Sequence, residues 1–323
     1  MTLSRRTLLS LATGAVASST ALRLASAQAY PARPVHLLVG FSAGSASDII
    51  ARLVAQKLSE QLGQPVVVEN RPGAGTNIAA EAVTRAPADG YTLLLATSAN
   101  AVNTTLYQHL SFNFSTDIAP VALIDLVPYV LEVTQSLPAK TLPEFIAYAK
   151  ANPGKINMAS NGIGSGPHVA GELFKMMAGV DLVHVPYTGN PYSDLIGGQI
   201  QVMFSPIPAS IGYVRSGQLR PLAVGTTARI AILPDVPTVG EFLPGYDASG
   251  WHGIGAPKNT PADIVESLNK AVSVDLADPA FKARIADLGG VPTAMTAAAF
   301  GTFIADETDK WAKVNKFADI KAE

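Results

Sequence analysis

The segment Gly40-Phe41-Ser42-Ala43-Gly44-Ser45-Ala46-Ser47-Asp48 joins an apolar run to a helical pattern. Its small residues let a ligand approach the backbone closely. The helix that follows offers unpaired N–H groups and the positive end of its dipole. Such a combination binds anions. The same residues also suit an ordinary strand–helix turn with Ser47 or Asp48 as N-cap. Gly40–Gly44 further fits G-x-S-x-G, the nucleophile elbow of α/β-hydrolases, with Ser42 as nucleophile and His168, His184, His252 and Asp235 downstream as candidate partners. Against that hydrolase reading, the elbow falls on the first strand of the mature chain, which leaves no room for the earlier strands that help to build an oxyanion hole.

A second segment, Asn161-Gly162-Ile163-Gly164-Ser165-Gly166-Pro167-His168, repeats the plan, with Pro167 suited to a first helical turn. A third is Pro186-Tyr187-Thr188-Gly189-Asn190-Pro191-Tyr192-Ser193-Asp194. Opposed helix starts would hold a molecule acidic at both ends. At ~1.5–3 kcal/mol each, four or five charge-assisted hydrogen bonds reach the ~8 kcal/mol of micromolar binding without a buried Arg or Lys. Nucleotide loops fit poorly. Pro167 stands at the last position of G-x-G-x-x-G after Gly162 and Gly164, and Ile78 stands there after Gly73 and Gly75. His36, His109, His168, His184 and His252 lack metal-site spacing, and a lone helical His168 reads as a capping or packing residue. No metal or cofactor is expected.

The elements that carry these loops read as two α/β units. In the first, strands Val35–Val39, Val66–Val68 and Tyr91–Ala96 alternate with helices Ile49–Leu62 and Ile78–Val83. This βαβαβ order implies a parallel sheet. In the second, strands Ile156–Ala159, Val183–Val185, Val202–Phe204 and Leu219–Val224 accompany a helix from His168 to Met177 and another that ends at Gly197-Gly198. Val121–Val133 and the stretch near Gly250–Pro257 read as two crossings between lobes, a natural hinge. Trp311 with Phe300, Phe303 and Ile304 marks a packed C-terminal helix. The expected organisation is lobe 1 over 28–127 plus 251–323 and lobe 2 over 128–250.

Ser4-Arg5-Arg6-Thr7-Leu8-Leu9, a mildly apolar stretch and Ala25-Ser26-Ala27 read as a twin-arginine-type signal over residues 1–27. Beyond it no apolar stretch reaches the ~18–20 residues of a membrane span, so a soluble, exported protein is expected. The absence of cysteine removes disulfides, thiol catalysis, zinc–thiolate sites and a lipidated cysteine. Loss of Arg5, Arg6 and Arg23 with the signal leaves 20 basic against 25 acidic residues, net −5. With no basic run, that balance argues against nucleic acid. The chain's 323 residues exceed one core's usual size, and 15% charged with 48% hydrophobic residues suits buried parallel strands.

Many ordered motifs together resemble the Bug-type substrate-binding receptors of tripartite tricarboxylate transporters. They include Val68-Glu69-Asn70-Arg71-Pro72-Gly73-Ala74, Ala88-Asp89-Gly90-Tyr91-Thr92-Leu93-Leu94, Gly164-Ser165-x-x-His168, Val185-Pro186-Tyr187-x-Gly189 and Leu233-Pro234-Asp235-Val236-Pro237-Thr238. The resemblance runs from Tyr30-Pro31 to the C-terminus. It implies a two-lobed type II periplasmic binding protein, a Venus flytrap in which each lobe is a mostly parallel sheet flanked by helices. It also implies a monomer in the periplasm that captures a small carboxylic acid and delivers it to membrane transporter subunits, with no catalysis. A receptor that presents its ligand to a sensor protein would look the same. In this family the loop matching Phe41–Ser47 meets the ligand carboxylate and the loop matching Asn161–Ser165 answers from the other lobe. The expected ligand set is therefore Phe41, Ser42, Ala43, Gly44, Ser45 and Ser98, then Asn161, Gly164, Ser165, Thr188, Asn190 and Asp194, with His252. His252 stands where relatives often carry an aromatic or amide residue. A histidine there that reaches a distal carboxylate, with Phe41 and Tyr192 as apolar walls, favours an aromatic dicarboxylate such as terephthalate.

Overall fold

The computed structural model describes residues 30–187 and 189–321. The signal read over 1–27, and Thr188, lie outside them. The first unit runs β1 (Val35–Val39), α1 (Ala46–Leu62), β2 (Val66–Asn70), α2 (Asn77–Thr84), β3 (Thr92–Thr97), α3 (Ser98–Leu106) and α4 (Phe114–Asp117). β1 lies between β2 and β3 and is parallel to both, as the βαβαβ order requires. Val35, Leu37, Leu38 and Val39 are all buried because helices cover both sheet faces. α1 ends where Gly63 adopts the left-handed conformation, at φ 68°, and its N–H bonds back to Ser59 O.

A 17-residue strand, β4 (Ile118–Thr134), then leaves the first unit. The second unit follows as α5 (Leu142–Ala151), β5 (Asn157–Ser160), α6 (Gly166–Ala178), β6 (Val183–Pro186), α7 (Tyr192–Gly197), β7 (Val202–Pro206), α8 (Ile207–Arg215) and β8 (Leu219–Val224). β5 is parallel to both β6 and β7. β9 (Ser249–Pro257) returns, followed by α9 (Ala262–Ala277), α10 (Pro279–Asp287), β10 (Val291–Pro292) and α11 (Ala297–Phe317).

β4 belongs to both sheets. From Ile118 to Pro128 it pairs antiparallel with β9. From Tyr129 onward it pairs with β7 and β8. Pro128, which has no N–H to donate, sits at the change of partner. The strand order β2-β1-β3-β9-β4-β7-β5-β6 is thus two parallel sheets joined through the antiparallel β9–β4 pair. β4 and β9 overlap the stretches Val121–Val133 and Gly250–Pro257. α9 packs on α1 and β4, whereas α11 packs on α3 and β4 and also reaches α6 of the second unit. Its Phe300 and Phe303 pack edge-on against Trp251 of β9.

Candidate functional site

Three helix starts, those of α1, α3 and α6, converge on one cavity of about 360 Å³. Each follows the C-terminal end of a parallel strand, where open α/β sheets place their ligand crevice. The floor is formed by the crossing strands, with Val127 and Tyr129 from β4 and Ser249–His252 from β9. Among the described residues the lining holds no Lys, Arg, Asp or Glu.

At the α1 start, Ser45 is the N-cap, and its Oγ accepts the Asp48 N–H at 3.2 Å. The Ile49 N–H bonds to Ser45 O. The helix therefore presents the N–H groups of Ala46 and Ser47 without intrahelical partners, and both residues line the cavity. Asp48 does not cap. Its carboxylate accepts the Gly44 N–H at 2.8 Å, Arg52 Nε at 2.9 Å and Asn70 Nδ2 at 2.9 Å. The hydrogen bond from Arg52 holds its pKa down at about 2. The loop before α1 is thereby tied to the helix and to β2.

Asn100 Oδ1 takes the Thr97 N–H at 2.9 Å, so Ser98 and Ala99 head α3 toward the cavity. In the second unit the Val169 N–H bonds to Ser165 O, and Pro167 has no N–H, which leaves Gly166 at the front of α6. Gly166 is required there, because any Cβ would run into the Tyr129 hydroxyl. A Cβ at Gly250 would press on the same hydroxyl at 2.8 Å. Burial pushes the Tyr129 phenol up to about 12, so it enters the cavity as a neutral hydrogen-bonding group.

Of the expected ligand set, Phe41, Ser98, Asn161, Ser165 and His252 line this cavity. The other described members do not. Ser42, Ala43 and Gly44 are exposed in the loop, and the Gly44 N–H is spent on Asp48. Ser45 is spent as the cap. Gly164 donates its N–H to His168 Nδ1 at 3.0 Å. Asn190 Oδ1 accepts the Tyr192 N–H, and Asp194 Oδ2 accepts the Tyr187 hydroxyl at 2.6 Å, so both side chains serve their own turn around the six-residue α7. Tyr192, expected as an apolar wall, packs with Tyr213 and Leu195 in a separate cluster.

His252 faces the cavity, but neither ring nitrogen is free. Nδ1 lies 2.8 Å from Asp125 Oδ1 and Nε2 lies 3.1 Å from Ser47 Oγ. It therefore cannot reach a distal carboxylate without giving up a partner. The same geometry bears on Ser42, since the imidazole engages Ser47, five residues beyond the elbow serine. Behind the second loop, His168 stacks on His184 with ring centres 3.6 Å apart, and His184 Nε2 lies 2.6 Å from Ser160 Oγ. Burial, with the charge of a basic neighbour, lowers these imidazoles to about 3 and about 4. They are neutral braces for the Gly162–Ser165 turn.

Outside the expected ligand set, Ala46, Ser47, Tyr129, Gly166 and Trp251 also line the cavity, and Asp125 lies behind His252. Gly166 lies within the second Gly/Ser loop, and Ala46 and Ser47 lie within the Phe41–Ser47 segment that the family resemblance assigns to the ligand carboxylate. Asp125 carried only the signal of a charge inside an apolar crossing.

The description "Tripartite tricarboxylate transporter family receptor" matches residues 50–319. Protein BugT of Bordetella pertussis is 38% identical over 294 residues, covering 90% of each chain. Among solved structures, R. palustris Rpa4515 with adipate is 37% identical with a TM-score of 0.77, covering 90% of this chain and 99% of that one. MatC from Rhodopseudomonas palustris with bound malate is 32% identical with a TM-score of 0.74, covering 88% and 99%. By sequence along most of its length, and by a two-sheet fold with its cavity at the crossing strands, this chain belongs to the tripartite tricarboxylate transporter receptors, a family of periplasmic solute-binding proteins and not of enzymes.

Proposed function

We propose that this receptor binds a small dicarboxylate with an apolar middle, terephthalate or a chain of adipate's length, and delivers it to membrane transporter subunits. The lobes that shut on it are 28–127 with 251–323, and 128–250. The observation that carries the reading is the convergence of helix starts from both sheets on one cavity whose wall, among the described residues, holds no Lys, Arg, Asp or Glu. Amide N–H groups aligned with a helix dipole are the anion donors available. Those of Ala46, Ser47, Ser98 and Ala99 serve one carboxylate, and that of Gly166, with Asn161 beside it in the wall, serves the other. Phe41, Val127, Tyr129 and Trp251 flank the space between with apolar surface. Because the donors belong to two units, a ligand with an acid at each end contacts all of them only when the units approach. Closure then follows from differential affinity. The relatives solved with adipate and malate support this ligand class.

The experiment is a thermal-shift and calorimetric panel of terephthalate, adipate, malate, citrate and benzoate. A true ligand at 100 times its Kd adds about 2.7 kcal/mol of stability. A dicarboxylate should protect more than the monocarboxylate benzoate. No protection by any acid at millimolar concentration would end the proposal.

A further inference from the structure

Ser47, His252 and Asp125 come from three different elements, α1, β9 and β4, and are all buried. Their contacts form one line from the cavity wall inward, with Ser47 Oγ 3.1 Å from His252 Nε2 and His252 Nδ1 2.8 Å from Asp125 Oδ1. We propose that this line couples carboxylate capture to the uptake of one proton, making Ser47 the group that reads the ligand's protonation and His252 the group that stores the proton. The inference rests on the carboxylate reading above.

The hydrogen-bond inventory allows two states. An ionised Asp125 can only accept, so Nδ1 of a neutral His252 carries the proton and Nε2 is an acceptor. Ser47 must then donate its O–H to Nε2, and it shows the cavity only lone pairs. A carboxylate, which also only accepts, meets a repelling oxygen at the head of α1. When His252 takes a proton from solvent, Nε2–H donates to Ser47 Oγ and the hydroxyl proton turns toward the ligand. Only this second state suits a carboxylate, so the bound ligand favours protonated His252 and binding tightens as pH falls. A ligand that offers a donor to Ser47 Oγ would instead suit the neutral state.

The surroundings contribute few other charges. β3 places uncharged Thr97 opposite His252. α1 adds Asp48, which is paired with Arg52. The connection before β10 brings Gly289 and Gly290, the latter leaving room for the Asp125 carboxylate. α11 brings Glu307 and Lys310, but Glu307 bonds the indoles of Trp251 and Trp311 and pairs with Lys310.

The test is calorimetric titration of the mature protein with terephthalate and with adipate between pH 6 and 8, in buffers of differing ionisation heat. The wild type should take up as much as one proton per ligand, and Kd should rise with pH by at most tenfold per unit. Ser47→Ala should bind more weakly and without the slope. Asp125→Asn is the sharper variant. The Asn amide can donate to Nδ1, which moves the ring proton to Nε2 and frees the Ser47 hydroxyl with no proton taken up. It should bind at pH 8 with nearly the affinity the wild type shows at pH 6. Thermal melts confirm that each variant is folded. Tight binding by the wild type without proton uptake, or a slope retained in Asp125→Asn, overturns the coupling alone. If neither acid binds at any pH, the carboxylate reading falls and takes the coupling with it.

Discussion

Glu132 is fully buried in the middle of β4's second half, beyond the cavity. Its carboxyl accepts the Ser205 hydroxyl from β7. Its Oε2 has no partner among the described residues, nor has Ser210 Oγ on α8. Burial pushes the carboxyl up from 4.5 to about 7, and the nearby Tyr192 phenol is raised as well, mainly by its own burial. The folded state thus keeps this proton to about pH 7, whereas the unfolded chain releases it near 4.5. Between those values the unfolded state binds fewer protons, so stability falls as pH rises and levels off above pH 7. At about 1.36 kcal/mol per pKa unit, the loss from this one group is roughly 3 kcal/mol. Glu132→Gln keeps the shape and removes the ionisation. The variant should match the wild type at pH 5 and exceed it at pH 8 by about 3 kcal/mol, or very roughly 5–10 °C in Tm for a chain of this size. Urea melts of both proteins at pH 5, 6, 7 and 8 measure the difference, in which every other titrating group cancels. A stability difference that stays constant across that range would refute the assignment of a neutral, buried Glu132.

Gly166→Ala places a methyl on the Tyr129 hydroxyl. It should cost about 1–3 kcal/mol of stability by overpacking and weaken dicarboxylate binding by about tenfold or more, with partial recovery in the double variant with Tyr129→Phe; calorimetry on the two proteins checks both parts. Asp48→Asn removes the carboxylate that collects Gly44, Arg52 and Asn70, and about 1–3 kcal/mol should be lost at pH 7 by denaturant melts. The lowered pKa makes the wild type's advantage present above pH 3.8 and lost as pH falls toward about 2, so the two proteins should converge in acid.

The first unit was legible because its strands are unbroken apolar runs and α1 has helical spacing between clear end signals. α3 was not read. Its sequence Ser-Ala-Asn-Ala-Val-Asn-Thr-Thr is polar, with little apolar periodicity. What holds it is tertiary: Asn100 donates to Thr76 and Asn103 donates to Gly75 O and Asn77. The segments at the heads of α1 and α6 are legible in the sequence, but which residues within them keep an unspent N–H is not. Reading the loop tips as donors overlooked that Gly44, Ser45 and Gly164 spend their groups on shaping the turn. The donors left over lie one to three residues later, at Ala46, Ser47 and Gly166. The Asp125–His252 pair was beyond reach for another reason. The two residues are 127 positions apart, and their registry depends on irregularities in the β4–β9 ladder between Pro120 and Ala122 and between Leu123 and Asp125. An ideal two-residue alternation would not bring that carboxylate opposite that ring.

Those ladder irregularities also bear on how a receptor whose cavity wall, among the described residues, holds neither Lys nor Arg can recognise an anion. Backbone amides at helix ends bind a carboxylate but cannot tell whether it is ionised, because their protons are fixed. A hydroxyl can, provided something behind it decides where its proton points. The β4–β9 crossing supplies that second layer, with Asp125 setting the ring proton on His252 and His252 setting the hydroxyl of Ser47 at the head of α1. β4 continues past Pro128 into the second sheet with Tyr129, whose hydroxyl abuts Gly166 at the head of α6. A change in the angle between the sheets therefore acts on Tyr129 and Gly166 while leaving Asp125, His252 and Ser47 together on the first. The proposed proton-linked reading of the ligand would then be complete in the open receptor, and closure would add the second carboxylate's donors to a choice already made.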